Sequence, residues 1–200
     1  YNRCRIASFL RFRLRPQVLH CDTEYMNTFV ILLRGVTPTG KNKVPMADLR
    51  IALTEVGLFD VQTYIQSGNV IASTALNQIE IEQLVHDTIM QKIGADLTII
   101  AKTPKQLQQT MKNNPFSPEA CARTYFTWLA SMPEASCIED LLHKDFAPDE
   151  VKLIDDVIYT LYATQHSDSK FNNNFFERKL KVSATTRNFN TLSRLIERTI

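Results

Sequence analysis

The sequence predicts an α+β protein built from two ferredoxin-like (split βαββαβ) subdomains, each an antiparallel sheet with helices packed on one face. Two observations support this. Apolar residues alternate with a period of two in some segments and recur every three or four residues in others. These segments follow the order strand, helix, hairpin, helix, strand, helix, and the order occurs twice. The repeat is one of pattern only, because equivalent residues hardly match.

The first series of elements begins after Met26. A strand is predicted at 27–34 and a helix at 44–57, where Pro45 suits the first turn and Gly57 ends the helix. Ser67-Gly68 is typical of a tight hairpin between two strands. The predicted strands of this hairpin are 61–66 and 69–74, followed by a helix at 76–94, a strand at 95–103 and a helix at 103–114, with Thr103 as its cap.

The second series repeats this order. The pair Asp155-Asp156 is a turn dipeptide that separates two strands within 149–164. The other predicted elements are a strand at 122–131, a helix at 133–144, a helix at 169–181, a strand at 181–186 and a helix at 190–200. Prolines and asparagines break the periodicity at 113–122. We therefore expect one subdomain at 26–114 and another at 115–200.

The first 25 residues differ from the rest in composition. They contain five arginines, and their charges interrupt the apolar core that a signal peptide needs. An Arg-rich transit peptide is the alternative interpretation. We expect instead that Met26 is the native start and that 1–25 are a non-native or disordered extension.

Charge disfavours nucleic acid as a partner. Residues 1–25 carry five basic and two acidic residues, so the remainder has 18 basic and 19 acidic residues, a net charge of −1. Nucleic-acid-binding domains usually show a basic excess.

The other bulk features predict a cytoplasmic protein without a bound metal. No apolar run approaches the roughly 20 residues that span a bilayer, so we expect no membrane contact. Cys121 and Cys137 lie too far apart for a Cys-x-x-Cys motif and are interpreted as reduced thiols. The sequence contains no metal-ligand spacing and predicts no cofactor.

The stretch GVTPTGKNK nearly matches a phosphate-binding loop, G-x-x-x-x-G-K-[ST]. In that motif the helix begins at the Gly-Lys-Ser, whereas here Pro45 marks a helix start about four residues after Lys41. Asn42 also replaces the hydroxyl that would hold magnesium. A nucleotide-hydrolysing loop is therefore disfavoured. The stretch still combines flexible backbone with cations, as anion-binding nests do, and its candidate residues are Arg34, Gly40, Lys41, Asn42 and Lys43; the alternative is a solvated loop.

A second candidate anion site precedes the last predicted helix. Thr185, Thr186 and Asn188 are good capping residues, and Arg187 offers a fork of donors suited to carboxylate or phosphate. Asn69 follows Gly68 at the predicted hairpin tip and is added to the set. In this hypothesis the arginines neutralise the ligand, the lysines steer it, and the threonines and asparagines orient it.

Four stretches together resemble the domain of unknown function 1697 family of bacterial proteins: LLRGVTPTGKNKVPMADLR, TYIQSGNVIAS, NPF and ATTRNFNTLSRL. The resemblance covers residues 26–200 and implies an α+β fold of two similar halves. It implies no reaction. The usual family loop resembles R-G-[IV]-N-x-G-G-K-N-K, and here Thr37 and Thr39 replace its Asn and the first Gly of its pair.

Three functions remain open. The first is a binding module or unassigned enzyme for a small anionic ligand that contacts the candidate residues. The second is an interaction or structural protein without a small ligand. The third is single-stranded nucleic-acid binding on the sheets. The sequence identifies no catalytic residue and no oligomeric state.

Overall fold

The computed structural model describes residues 26–200, so the expected extension at 1–25 lies outside the described residues. In the first half, the order of elements is the one predicted. They are β1 (Asn27–Leu33), α1 (Met46–Glu55), β2 (Phe59–Thr63), β3 (Asn69–Thr74), α2 (Gln78–Lys92), β4 (Ile99–Lys102) and α3 (Pro104–Lys112). Thr103 caps α3 through a capping box with Gln106, as predicted.

The second half repeats this order. Its elements are β5 (Thr124–Leu129), α4 (Ala135–Leu142), β6 (Glu150–Ile154), β7 (Val157–Leu161), α5 (Asn173–Leu180), β8 (Ala184–Asn188) and α6 (Phe189–Glu197). Short 3-10 helices at Pro118–Arg123 and His166–Asp168 complete the described chain. None of the helices within residues 26–200 has both the length and the apolar character needed to cross a membrane.

Each half forms a four-stranded antiparallel sheet, in the order β2-β3-β1-β4 and β6-β7-β5-β8. The two orders are equivalent, and the α+β prediction of two similar ferredoxin-like halves is confirmed. Equivalent positions follow from strand register. Lys102 pairs with Val30 and Arg187 pairs with Phe126, so Lys102 and Arg187 occupy the same place in their sheets.

Three apolar cores hold the layers together. The outer face of the first sheet packs on α1 and α2, and that of the second sheet packs on α4 and α5. The inner faces of both sheets, with α3 and α6 between them, form the middle core. Strand alternation produces this arrangement, since Val30 and Leu32 face the middle core while Ile31 and Leu33 face the outer one. The two halves therefore share a core.

The middle core buries aromatic side chains of the second sheet. Its second-sheet face carries large aromatic side chains, of which Trp128 is 1 % exposed and Phe126 is 0 % exposed. Stacking of bases on a sheet requires exposed aromatics, so this face is closed to that mode of nucleic-acid binding.

Candidate functional site

A cleft of about 710 Å³ opens in the first half, next to the N-terminus of α1. Its two sides are the β1–α1 loop (residues 34–45) and the β2–β3 turn (residues 64–68). Apolar side chains dominate the lining, which consists of Val36, Thr37, Pro38, Lys43, Val44, Pro45, Met46, Ala47, Gln66 and Ser67. We call this space the cleft.

The β1–α1 loop folds back on itself through short-range hydrogen bonds. The Thr37 N–H donates to the Asn42 carbonyl at 3.0 Å, and the Lys43 N–H donates to the Gly40 carbonyl at 3.2 Å. Gly40 supplies the required positive φ of 80°. Lys41 lies at the exposed tip and is absent from the cleft lining, whereas Lys43 lines the cleft. Of the predicted loop cations, the structure therefore places only Lys43 there.

The N-terminus of α1 also faces the cleft, through Pro45, Met46 and Ala47. Pro45 occupies the N-cap and provides no side-chain hydrogen bond. The first N–H groups of a helix have no intrahelical partner, and the helix dipole is positive at this end. Asp48 lies in the first turn, so a bound anion would share the positive end of the helix dipole with this carboxylate.

The β2–β3 turn approaches β1 closely enough to require glycine. A Cβ on Gly68 would lie 2.8 Å from Leu33 Cβ and 2.8 Å from Val36 Cγ2, and its φ is +78°. The neighbouring Ile65 adopts a φ of 52° although it is β-branched, which is an unfavourable conformation for such a residue. Strained backbone of this kind concentrates at functional sites.

Arg187 lies behind this turn, buried and fully hydrogen-bonded. Its Nε donates to Asn69 Oδ1. Its Nη1 donates to Thr185 Oγ1 at 2.8 Å and to the Thr186 carbonyl at 2.9 Å. Its Nη2 donates to the carbonyls of Leu33, Ser67 and Gly68 at 3.1, 3.2 and 3.0 Å. These acceptors engage all five N–H groups of the guanidinium.

In this arrangement no donor of Arg187 is left for a ligand. The expected contact between Arg187 and a ligand stays a prediction. Burial lowers the pKa of Arg187 to about 10, and the charge of Arg34 adds to this effect. The group still carries its proton at neutral pH. Within the described part of the chain, no carboxylate pairs with it.

Arg34 is also engaged, in an ion pair that joins the halves. Its Nε and Nη2 donate to the Glu177 carboxylate at 2.8 and 2.6 Å, and Nη2 also donates to Asn174 Oδ1 at 2.6 Å. Burial raises the pKa of Glu177, but the hydrogen bonds from Arg34 and the Ala184 amide outweigh it, so the pKa lies below its ordinary value. In this structure Arg34 joins the two halves and lies outside the cleft lining. Its expected role in neutralising a ligand stays a prediction.

The threonines were predicted as helix caps, and this prediction is wrong because β8 extends through them. Thr185 accepts from Arg187, while Thr186 Oγ1 bonds to Thr127 Oγ1 at 2.7 Å and to Asn173 Oδ1 at 2.8 Å. Asn188 does cap α6, since its side chain accepts from the Thr191 N–H at 2.8 Å. Asn69 is fully buried and accepts from Arg187.

The ten predicted residues thus divide into groups. Lys43 lines the cleft, and Gly40, Lys41 and Asn42 form the loop beside it. The other six lie behind the β2–β3 turn, at the contact between halves, or at the start of α6. Sequence reasoning missed the apolar lining. One available signal was loop length, because the β1–α1 connection (34–45) is much longer than its counterpart between β5 and α4 (130–134).

The cleft lining does not resemble a hydrolytic or metal centre. Among the described residues that line it there is no histidine, cysteine or carboxylate. Within residues 26–200, no group of three His, Cys, Asp or Glu side chains is arranged to hold a metal ion. The arrangement is suited to binding an apolar group next to a positively polarised helix end.

Comparisons with known proteins agree with the fold. The family model described as "Protein of unknown function (DUF1697)" matches residues 26–159. The solved structure of a conserved bacterial protein from Streptococcus pneumoniae is 22 % identical, covers 88 % of this chain and 99 % of its own, and superposes with a TM-score of 0.67. No curated protein matches the chain.

Proposed function

The chain belongs to the DUF1697 family of proteins of unknown function, and from that premise we propose that it binds a small ligand that joins an anionic group to an apolar part. The observation that carries the proposal is the cleft, in which an apolar lining meets Lys43 and the uncapped end of α1. Its volume of about 710 Å³ falls in the range of small-molecule sites.

The two parts of the ligand correspond to two parts of the lining. Val36, Pro38, Val44 and Met46 offer apolar surface, which favours a hydrocarbon or aromatic group. The Lys43 ammonium and the free N–H groups of α1 offer positive charge and donors, which favour phosphate or carboxylate. Binding rather than catalysis is proposed because Thr37 and Ser67, the hydroxyl-bearing residues of the lining, have no histidine or carboxylate among the lining residues to activate them.

A thermal-shift screen of the full chain tests this proposal. Nucleotides, sugar phosphates, aromatic carboxylates and inorganic phosphate are added singly, and a binder raises the melting temperature by mass action. We expect Lys43→Gln to weaken binding of an anionic hit about ten-fold, as loss of one charge contact would. Lys41→Gln is the matched control, because Lys41 lies on the same loop outside the lining.

Two results would contradict the proposal. Equal effects of Lys43→Gln and Lys41→Gln would place the anion elsewhere. A screen in which no anionic compound shifts the melting temperature would favour the alternative of an interaction module without a small ligand.

A further inference from the structure

We infer that the buried charge of Arg187 makes the cleft select an anionic over an uncharged ligand, acting through the β2–β3 turn without touching the ligand. This inference rests on the proposed function, since it concerns the ligand of the same cleft. It assigns Arg187 as a specificity-determining residue, in place of the direct contact that its sequence context predicts.

Position is the first support. Arg187 Nη2 donates to the carbonyls of Ser67 and Gly68 at 3.2 and 3.0 Å, and Ser67 also lines the cleft. A single turn of backbone therefore separates the guanidinium from the ligand space. Arg187 is 8 % exposed, so little water screens its field, and charges interact more strongly there than through bulk solvent.

The second support is the lack of a counter-charge. Arg34 pairs with Glu177 at 2.6 Å, and Lys102 pairs with Asp156 at 2.6 Å. Arg187 is instead surrounded by neutral amide, hydroxyl and carbonyl oxygens. Such oxygens solvate a cation but leave its net charge in place. Of these three cations in the described part of the chain, Arg187 is the one without a carboxylate partner, and it lies behind the cleft.

Peptide geometry adds to this field. The Ser67 carbonyl points toward the guanidinium, and in a trans peptide the following N–H points the opposite way. The Gly68 N–H therefore points away from Arg187. The positive end of this peptide dipole lies on the side of the turn opposite the cation, which extends the positive potential outward.

The test measures charge selectivity with two simple probes, phenyl phosphate and uncharged benzyl alcohol. Each is titrated into the full chain while the amide resonances of Lys43, Ala47 and Ser67 are followed by NMR. Wild type should bind phenyl phosphate more tightly. The principal variant is Asn69→Asp, which places a carboxylate against Arg187 Nε and cancels the charge. It also removes the Asn69 Nδ2 donor to the Tyr64 carbonyl and Ser67 Oγ, so the uncharged probe reports any change in the turn itself.

We expect Asn69→Asp to lower the affinity for phenyl phosphate about ten-fold, the scale of one partly screened charge, and to leave benzyl alcohol binding unchanged. Arg187→Lys keeps the positive charge but loses the guanidinium's set of N–H donors. This variant should retain the preference for phenyl phosphate over benzyl alcohol. Lys102→Met is the matched control, because it removes the cation at the equivalent position of the other sheet, which pairs with Asp156 and lines a different cavity. It should change neither affinity.

The outcomes separate this inference from the proposed function. If Asn69→Asp retains the preference, or lowers both affinities equally, Arg187 does not select charge and the inference is wrong while ligand binding stands. If phenyl phosphate shifts no cleft amide in wild type, the proposed function fails and the inference with it. Arg187→Gln, which also removes the charge, decides the question should circular dichroism show that Asn69→Asp is unfolded.

Discussion

Lys102 and Arg187 occupy equivalent positions in the two sheets, yet the hydrogen-bond partners of these two buried cations differ. Each cation is 8 % exposed and reaches across to the hairpin turn of the opposite half. The two turns are equivalent, since the Leu33 N–H donates to the Gly68 carbonyl and the Leu129 N–H donates to the Asp156 carbonyl. Each half therefore contributes one buried cation that binds the hairpin turn of the other half.

The difference lies in what each turn offers. Asp156 presents a carboxylate 2.6 Å from the Lys102 ammonium. Gly68 presents only backbone, because a side chain there would collide with Leu33 and Val36. A guanidinium with five fixed donors can collect several carbonyls, whereas an ammonium is suited to one strong partner. The absence of a side chain at Gly68 thus explains why arginine is found at 187.

The cavities beside the two turns also differ. The Lys102 charge is neutralised in its turn, and the adjoining cavity between the halves measures only about 180 Å³. The Arg187 charge is not neutralised, and the long β1–α1 loop beside its turn encloses about 710 Å³. One ferredoxin-like half has a short connection between its first strand and helix, and the other has a long one that encloses the candidate binding site. Equivalent folds therefore have unequal surfaces.

The largest expected effect is loss of the Arg187 contacts. Arg187→Met should lower the free energy of unfolding by about 3 kcal/mol, because several buried carbonyls lose their donors. Lys102→Met should cost about 1 kcal/mol, since the Asp156 side chain is 40 % exposed and can turn to water. Urea denaturation of both variants measures the difference. Equal losses would show that the two contacts are energetically equivalent despite their chemistry.

A smaller effect is expected at the two turns themselves. Gly68→Ala should destabilise by about 2 kcal/mol, because its φ of +78° is strained for alanine and its Cβ has two contacts at 2.8 Å. Asp156→Ala should cost less than about 1 kcal/mol, the value of a partly exposed ion pair. Thermal unfolding of both variants tests this. If Gly68→Ala were as stable as wild type, steric exclusion of a side chain at Gly68 could not explain why position 187 is an arginine.

Sequence patterns predicted the fold because apolar periodicity directly reflects which faces are buried. Thr103 as a cap, Ser67-Gly68 as a turn and the order of elements all follow from local rules, and the structure confirms them. The two-fold repeat was likewise visible in pattern. Each of these features is determined by residues that are close together in the sequence, so it can be predicted without knowing the tertiary contacts.

The hydrogen-bond partners of the candidate site residues could not be predicted from the sequence, because they lie far away along the chain. Arg34 and Arg187 have the composition of ligand-binding residues, but Glu177 and the carbonyls of the β2–β3 turn occupy them across 143 and 120 positions of sequence. Residue type alone cannot show that a donor is already engaged. Lys43 does line the cleft, and its position in the loop follows from local sequence.

The smallest expected effect concerns the ion pair that only one half possesses. Arg34 is equivalent to Ala130, because their N–H groups donate to Thr98 and Ser183 at matching places, and only Arg34 reaches an acid of the other half. The pKa of Glu177 lies below its ordinary value of 4.5 in the folded state. Such a group stabilises the fold above its unfolded pKa, and this contribution is lost as the pH falls through the folded value.

Wild type should therefore exceed Glu177→Gln in stability by less than about 1 kcal/mol near neutral pH, since both partners are partly solvated. The advantage should shrink as the pH falls below about 4.5 and vanish below the folded pKa. Urea denaturation across this range measures it, and an Arg34→Gln background provides the control, in which the pH dependence should be smaller. An advantage that grows on acidification would mean that Glu177 is held in its protonated form, and the contact between the halves would then not be an ion pair.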